Sequence, residues 1–130
     1  MRMVVQKVER ASVSVDGILR AEIGNGLMAL VGLIPQDDDK VIDYMLDKLT
    51  NLRIYEDEND KLNLSVKDVG GDILLVSNFT LYGDARKGRR PSYFNAASPE
   101  EAEKIFNRLM EKAGQLPLKV ESGVFRTHMK

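Results

Sequence analysis

The stretch Gly71-Asp72-Ile73-Leu74-Leu75-Val76-Ser77-Asn78-Phe79-Thr80-Leu81-Tyr82-Gly83-Asp84 joins an unbroken apolar run to an alternating polar one. Ile73 to Val76, with Gly70-Gly71 before it, suits a strand covered on both faces, although a short buried helix shares that pattern. From Ser77 onward hydroxyl and amide side chains alternate with rings and aliphatics. If the strand continues, Ser77, Phe79 and Leu81 face one way and Asn78, Thr80 and Tyr82 the other. Polar groups at the end of a buried strand are costly unless hydrogen-bonded or facing a pocket. They either satisfy neighbouring backbone, as Ser and Thr often do in strands, or they line a site.

Upstream, residues 1–10 read as a strand with Met3, Val5 and Lys7 on one side. Ser12 to Val15 alternates, and Asp16-Gly17 is a two-residue hairpin turn into Ile18–Ile23. Gly24-Asn25-Gly26 makes a second turn into the apolar run Leu27–Ile34, suited to a buried strand. Pro35 to Asp39 supplies breakers and N-cap candidates for a helix with Val41, Met45, Leu49 and Leu52 on one face. Leu52–Tyr55 and Leu62–Val66 flank the charged turn Glu56–Lys61 and read as a hairpin.

Downstream, Ser98 caps a second helix, with Pro99 in its first turn and Glu101 completing a Ser-x-x-Glu box. Its apolar stripe is Ala102, Ile105, Phe106, Leu109, Met110 and Ala113, and Gly114 ends it. Leu118 to Glu121 returns as a strand. Many strands with two unevenly interleaved helices argue against a doubly wound parallel sheet. With no repeat, linker or low-complexity segment, residues 1–130 read as one domain.

The totals narrow the chemistry. There are no cysteines, which removes disulfides, thiol catalysis and thiolate metal sites. No apolar stretch approaches the roughly 20 residues of a membrane span, so the expectation is a soluble, cytoplasmic protein. Net charge is −1 from 19 basic and 20 acidic residues. A nucleic-acid partner would therefore have to meet a local basic patch. Arg86-Lys87-Gly88-Arg89-Arg90 is one, four cations in five residues just after the central strand. It is either a solvated loop or a contact for phosphates, which position a nucleic acid without reading it.

His128 is the only histidine, so a histidine metal cluster is excluded. Asp37-Asp38-Asp39 reads as helix capping rather than a metal site. No Gly-x-Gly-x-x-Gly or P-loop pattern appears. No metal and no cofactor are expected.

Ser77-Asn78-Phe79-Thr80-Leu81 resembles the Ser-Gln-Phe-Thr-Leu signature of the D-aminoacyl-tRNA deacylases, with Asn78 in place of Gln. The resemblance continues through Arg10-Ala11-Ser12-Val13, Arg53-Ile54-Tyr55, Gly88-Arg89-Arg90-Pro91-Ser92, Ala97-Ser98-Pro99 and Gly123-Val124-Phe125, in family order. It implies a large mixed β-sheet folded on itself in a barrel-like way, in β/β/α layers, with two helices outside. It also implies a homodimer acting on the 3′ end and acceptor stem of aminoacyl-tRNA. The implied reaction is hydrolysis of the D-aminoacyl ester, with glycyl esters a further candidate. The substrate's own 2′-hydroxyl would assist water, and main-chain groups around Phe79 and Thr80 would bind the reacting end.

The expected catalytic set is Ser77, Asn78, Phe79 and Thr80. Phe125 and Met129 match a pair that lines the family's pocket, though core filling explains them equally. Lys7 stands where the family commonly has Arg, without that residue's planar fork. Arg86, Lys87, Arg89 and Arg90 would meet the tRNA backbone. Thr80 either orients the ester through its hydroxyl or attacks as a nucleophile; attack needs an activating base, and none stands nearby, which favours orientation. Two other readings stay open: a non-catalytic RNA-binding module using the Arg86–Arg90 loop, and a small-molecule esterase with Thr80 or Ser77 as nucleophile. The family's Gly-Pro-Val-Thr segment, which would come some residues after Met129, has no counterpart here, and the expectation is that the natural chain continues past Lys130.

Overall fold

The computed structural model describes residues 1–125 and 129–130. Strands β1 (Arg2–Val8), β2 (Ala11–Val15), β3 (Ile18–Ile23) and β4 (Gly26–Gly32) come first, then helix α1 (Asp39–Asn51). The short pair β5 (Tyr55–Glu56) and β6 (Leu62–Leu64) leads to β7 (Asp72–Ser77) and a 3-10 turn over Phe79–Tyr82. Helix α2 (Pro99–Ala113) and strand β8 (Val120–Ser122) complete the chain.

One mixed sheet organises these elements, in the order β1-β4-β7-β8. β1 runs antiparallel to β4, while β4, β7 and β8 are parallel to one another. β2–β3 and β5–β6 form separate two-stranded ladders. The expected barrel is therefore corrected: among the described residues β1 and β8 are free edges and no ladder closes the sheet. Barrel closure needs strands tilted and staggered around a full circle, and a three-residue β8 ends the sheet instead.

The layers follow from alternation. Leu27, Ala29, Val31, Ile73 and Leu75 point into one core with Ile42, Leu46 and Leu49 of α1 and Phe106, Leu109 and Ala113 of α2. Leu74, with Met28 and Val76 beside it, points the other way into a core with Val13, Ala21 and Ile23 of the β2–β3 hairpin. β7 is thus covered on both faces, as its unbroken apolar run requires. Burying each of the Leu, Ile, Val and Phe side chains among these contributes about 1.5–3 kcal/mol.

Helix α2 matches expectation, including the reciprocal Ser98–Glu101 capping box. In α1 the buried stripe is Ile42, Leu46 and Leu49. It is rotated by about one residue from the expected Val41 and Met45, which are only half-buried. Asp38 supplies the cap, its side chain accepting from the Val41 N–H. Asp37 is buried instead, accepting from the Ile34 N–H at 2.9 Å and from the N-terminal ammonium of Met1 at 2.5 Å.

The approach of β4 to β7 is set by Gly26. A Cβ there would lie 1.9 Å from the Asp72 carbonyl oxygen, and backbone cannot yield cheaply. Gly26→Ala is expected to destabilise the protein by about 3 kcal/mol, at the upper end of overpacking costs. Ser98→Ala, which removes one side of the capping box, should cost about 1 kcal/mol. Urea unfolding of both variants checks the order; equal losses would mean that β4 and β7 can separate without penalty.

Candidate functional site

The strand expected to run on to Tyr82 stops at Ser77, and the alternation assigned to Ser77–Tyr82 does not occur. The Asn78 N–H still donates to Val31 O at 2.8 Å. Beyond it β4 has ended and offers no further rung. The Asn78 side-chain oxygen then accepts from the Thr80 N–H at 2.9 Å, capping a 3-10 turn. Local side-chain capture of this kind competes directly with strand pairing.

The far side of the turn is held by the first strand. The Arg2 guanidinium donates to Leu81 O at 2.6 Å and lies 4.6 Å from the centre of the Tyr82 ring. Gly32 permits the close approach, because a Cβ there would sit 3.0 Å from the Leu81 Cβ and from two Tyr82 ring atoms. The alternation expected in this stretch carries no sign of Arg2 or Gly32.

Within the turn, the Thr80 hydroxyl donates to the Asn78 side-chain oxygen. Both donors point at one atom, which fixes that atom as the amide oxygen. The Thr80 N–H is thereby occupied, whereas the Phe79 N–H donates to no described residue. The Phe79 ring is 59% exposed and packs edge-on against Tyr93, centroids 4.9 Å apart.

Beside the turn is a cavity of about 600 Å³. Val31 and Leu33 line it from the end of β4; Ser77, Asn78 and Phe79 line it from the end of β7. Phe125 and Met129 contribute from the segment after β8, and Tyr93, Ala96, Ala97, Ser98, Pro99 and Ala102 from the loop and first turn of α2. The carboxyl ends of parallel strands are where open α/β sheets form crevices. Five sequence-selected residues, Ser77, Asn78, Phe79, Phe125 and Met129, thus share one lining. Tyr93 and Ala96 gave no sequence signal.

Other selected residues lie elsewhere. Thr80 is exposed next to the cavity rather than among its lining residues. Lys7 pairs in register with Leu27, at the end of β1 away from Arg2, and its Nζ lies 5.4 Å from the Tyr55 ring centre. Arg86 and Lys87 line a second recess with Asp84 and Ser92, and Arg89 and Arg90 are exposed in the same loop. His128 falls outside the described residues.

Asp84 and Tyr82, at the end of the turn, are both perturbed by their surroundings. The Arg86 side chain, then its N–H, hold the Asp84 carboxyl below the usual carboxylate range. Burial pushes the Tyr82 hydroxyl above its ordinary range, with Asp37 adding to the shift and Arg2 opposing it. Asp84 is therefore a paired carboxylate and Tyr82 a neutral phenol, and neither is a free base beside Thr80. Among the described residues no cluster of His, Asp or Glu is arranged to hold a metal ion, and no helix is long and apolar enough to cross a membrane. What the arrangement offers is a main-chain donor, a hydroxyl and an apolar cavity.

Known proteins share this arrangement of sequence. Relatives named D-aminoacyl-tRNA deacylase include those of Kosmotoga olearia, 53% identical over 99% of this chain and 86% of its own length, and Carboxydothermus hydrogenoformans, 53% over 99% and 89%. A solved structure described as a c-Myc DNA unwinding element binding protein superposes with a TM-score of 0.91 at 38% identity, covering 100% of this chain and 89% of that one. Another, described as a probable eukaryotic D-amino acid tRNA deacylase, has a TM-score of 0.76 at 16% identity, covering 98% and 90%, a likeness of fold. The family model described as D-Tyr-tRNA(Tyr) deacylase matches residues 4–130, and the chain belongs to that family.

Proposed function

We propose that this protein hydrolyses the ester of D-aminoacyl-tRNA, releasing the free D-amino acid and tRNA. Family membership supports the reaction. The observation that carries it to particular atoms is the Phe79 N–H, unengaged among the described residues and belonging to a residue that lines the apolar cavity. An aminoacyl ester is labile and brings a ribose 2′-hydroxyl beside the scissile carbonyl, so it asks mainly for positioning and charge stabilisation.

In this mechanism the terminal adenosine enters the cavity between Phe79 and Phe125, with Met129 and Ser77 as further walls. The Phe79 N–H donates to the carbonyl oxygen as negative charge develops; one such donor is worth about 2.7–4 kcal/mol in the transition state. Water adds to the carbonyl carbon, the bond to the ribose oxygen breaks, and the water's proton passes through the neighbouring 2′-hydroxyl to the departing oxygen. Thr80 orients the ester. Its hydroxyl proton is committed to Asn78, leaving the oxygen as an acceptor, and among the described residues no basic group is hydrogen-bonded to it. Asn78 serves by holding the turn. Arg86, Lys87, Arg89 and Arg90 meet the tRNA backbone, the working unit is a homodimer, and the substrate places the work in the cytoplasm.

A nucleic-acid module without catalysis is the second reading, favoured only by the basic loop. It requires that D-Tyr-tRNA bind while its ester lifetime stays unchanged. The expected result is loss of the D-tyrosyl ester with no added metal or cofactor.

Thr80→Ala should slow single-turnover hydrolysis on the order of tenfold, the scale of one oriented hydrogen bond, and Thr80→Ser should stay close to the parent. Asn78→Ala should slow it at least as much, since it releases the turn that aims Phe79. Trapping an acyl group on Thr80 would replace orientation by covalent catalysis.

Replacing Arg86, Lys87, Arg89 and Arg90 together by Ala should weaken tRNA binding and flatten its log–log salt slope. The slope should fall by roughly 0.7–0.9 for each phosphate that the loop no longer neutralises. The rate at saturating tRNA should change far less. An unchanged slope would assign the loop to solvent.

A further inference from the structure

One large apolar side chain serves neither the core nor the chemistry above. Phe94 is 92% exposed, the most exposed large hydrophobic among the described residues. It is not on a loose loop. The Ala96 N–H donates to Tyr93 O at 3.0 Å, so Phe94 and Asn95 form the corner of a closed four-residue turn. That turn is tied at both ends: Asp84 and Ser92 exchange two backbone hydrogen bonds of 2.8 Å, and the Ala97 N–H donates to Leu33 O at 2.9 Å.

Its neighbours point to what covers it. Tyr93, one residue before, lines the cavity and packs on Phe79. Arg89 and Arg90, a few residues earlier, are exposed. Along the chain an exposed ring thus adjoins a residue of the apolar cavity and follows closely on a polycationic loop. Proteins that hold single-stranded nucleic acid combine these parts, with cations tracking the backbone and a ring stacking on a base.

We propose that Phe94 is a stacking platform for an unpaired base of the RNA's 3′ single strand, the one next to the nucleotide held in the cavity. Arg89 and Arg90 receive the adjoining phosphates. The proposal rests on aminoacyl-tRNA being the substrate. Charge favours this occupant over a second copy of the chain, because a twofold partner meeting the same loop would bring like charges together. An RNA strand brings the opposite sign. Stacking needs no particular base, so the platform would act on any tRNA.

The test uses the whole protein and a minihelix consisting of an acceptor stem with its 3′ single strand. Binding is measured with the uncharged RNA and hydrolysis with its D-tyrosyl ester. Phe94→Ala should weaken binding about tenfold and raise KM in proportion while kcat holds, and Phe94→Tyr should restore both. An abasic site at the penultimate nucleotide should weaken binding to the parent protein equally, yet have no further effect on Phe94→Ala. If the two losses multiply, or if Phe94→Ala binds like the parent, the ring does not stack there. If Phe94→Ala instead sediments as a smaller species and regains RNA affinity at high protein concentration, Phe94 covers a subunit contact and the proposal is overturned. An intact D-tyrosyl ester with the parent protein would defeat the hydrolase reading, while the binding comparison still decides the role of Phe94.

Discussion

The hydrogen bond from the Asn78 N–H to Val31 O, 2.8 Å long, is the last rung of the β4–β7 ladder. Everything that could act as a site depends on where it falls. The register runs from Gly26 opposite Asp72 to Val31 opposite Ser77. A slip by one residue would turn Ile73 and Leu75 toward the hairpin layer and Leu74 toward the helices, exchanging two differently shaped cores. The two cores therefore specify the register, and the register delivers Asn78 to the point where β4 runs out. Gly26 and Gly32 mark the ends of the same constraint, one letting β4 approach Asp72 and the other letting it approach the turn.

Past Ser77 a strand competes with a turn. Phe, Thr and Tyr favour extended backbone in a sheet, and on that ground the alternating pattern reads as strand. A strand needs a partner, however, and β4 has none to offer past Gly32. The Asn78 amide supplies an acceptor inside the chain, Arg2 takes the Leu81 carbonyl, and the turn gains the partners that a strand there would lack. Arg2 lies 79 residues from Leu81, so nothing local in either stretch announces the contact. The same limit explains α1. Its periodicity locates a helix, but Ile42 rather than Val41 faces the core because the sheet it packs on sets the rotation. By contrast, α2 was legible almost residue by residue, since its cap, its first-turn proline and its stripe are written in consecutive positions.

The basic loop illustrates a different separation of scales. The whole chain carries a net charge of −1, and no total would have located a cationic face. Arg86 donates to Asp84 through Nε and Nη2, with contacts of 2.7 to 3.1 Å, and Nη1 takes no part in that pair. An exposed pair of this kind is screened by water and adds little to folding. Its effect is local: together with the Asp84–Ser92 backbone pairs it fixes the base of the loop, so that Lys87, Arg89 and Arg90 are presented from a defined platform.

The residues of the candidate site came from the resemblance and their geometry from the fold, and the proposed chemistry gives the reason. When a main-chain N–H does the stabilising, any residue can supply it, and the side chain at that position need carry no catalytic signature. Phe79 could not be picked out by the acid–base and nucleophile patterns that expose a triad or a metal site; only the resemblance pointed to it. What the sequence has to specify is the bend that aims the N–H. That specification is spread over Asn78, which caps the turn, Gly32, which makes room for it, and Arg2, which holds its far carbonyl. None of these is a reactive group in the proposed mechanism, and two of them lie outside the central stretch. A site of this kind is read by asking which backbone donors the fold leaves unpaired beside a cavity. Phe79 is one such donor among the described residues, whereas its neighbour Thr80 is not, because Asn78 has already taken it.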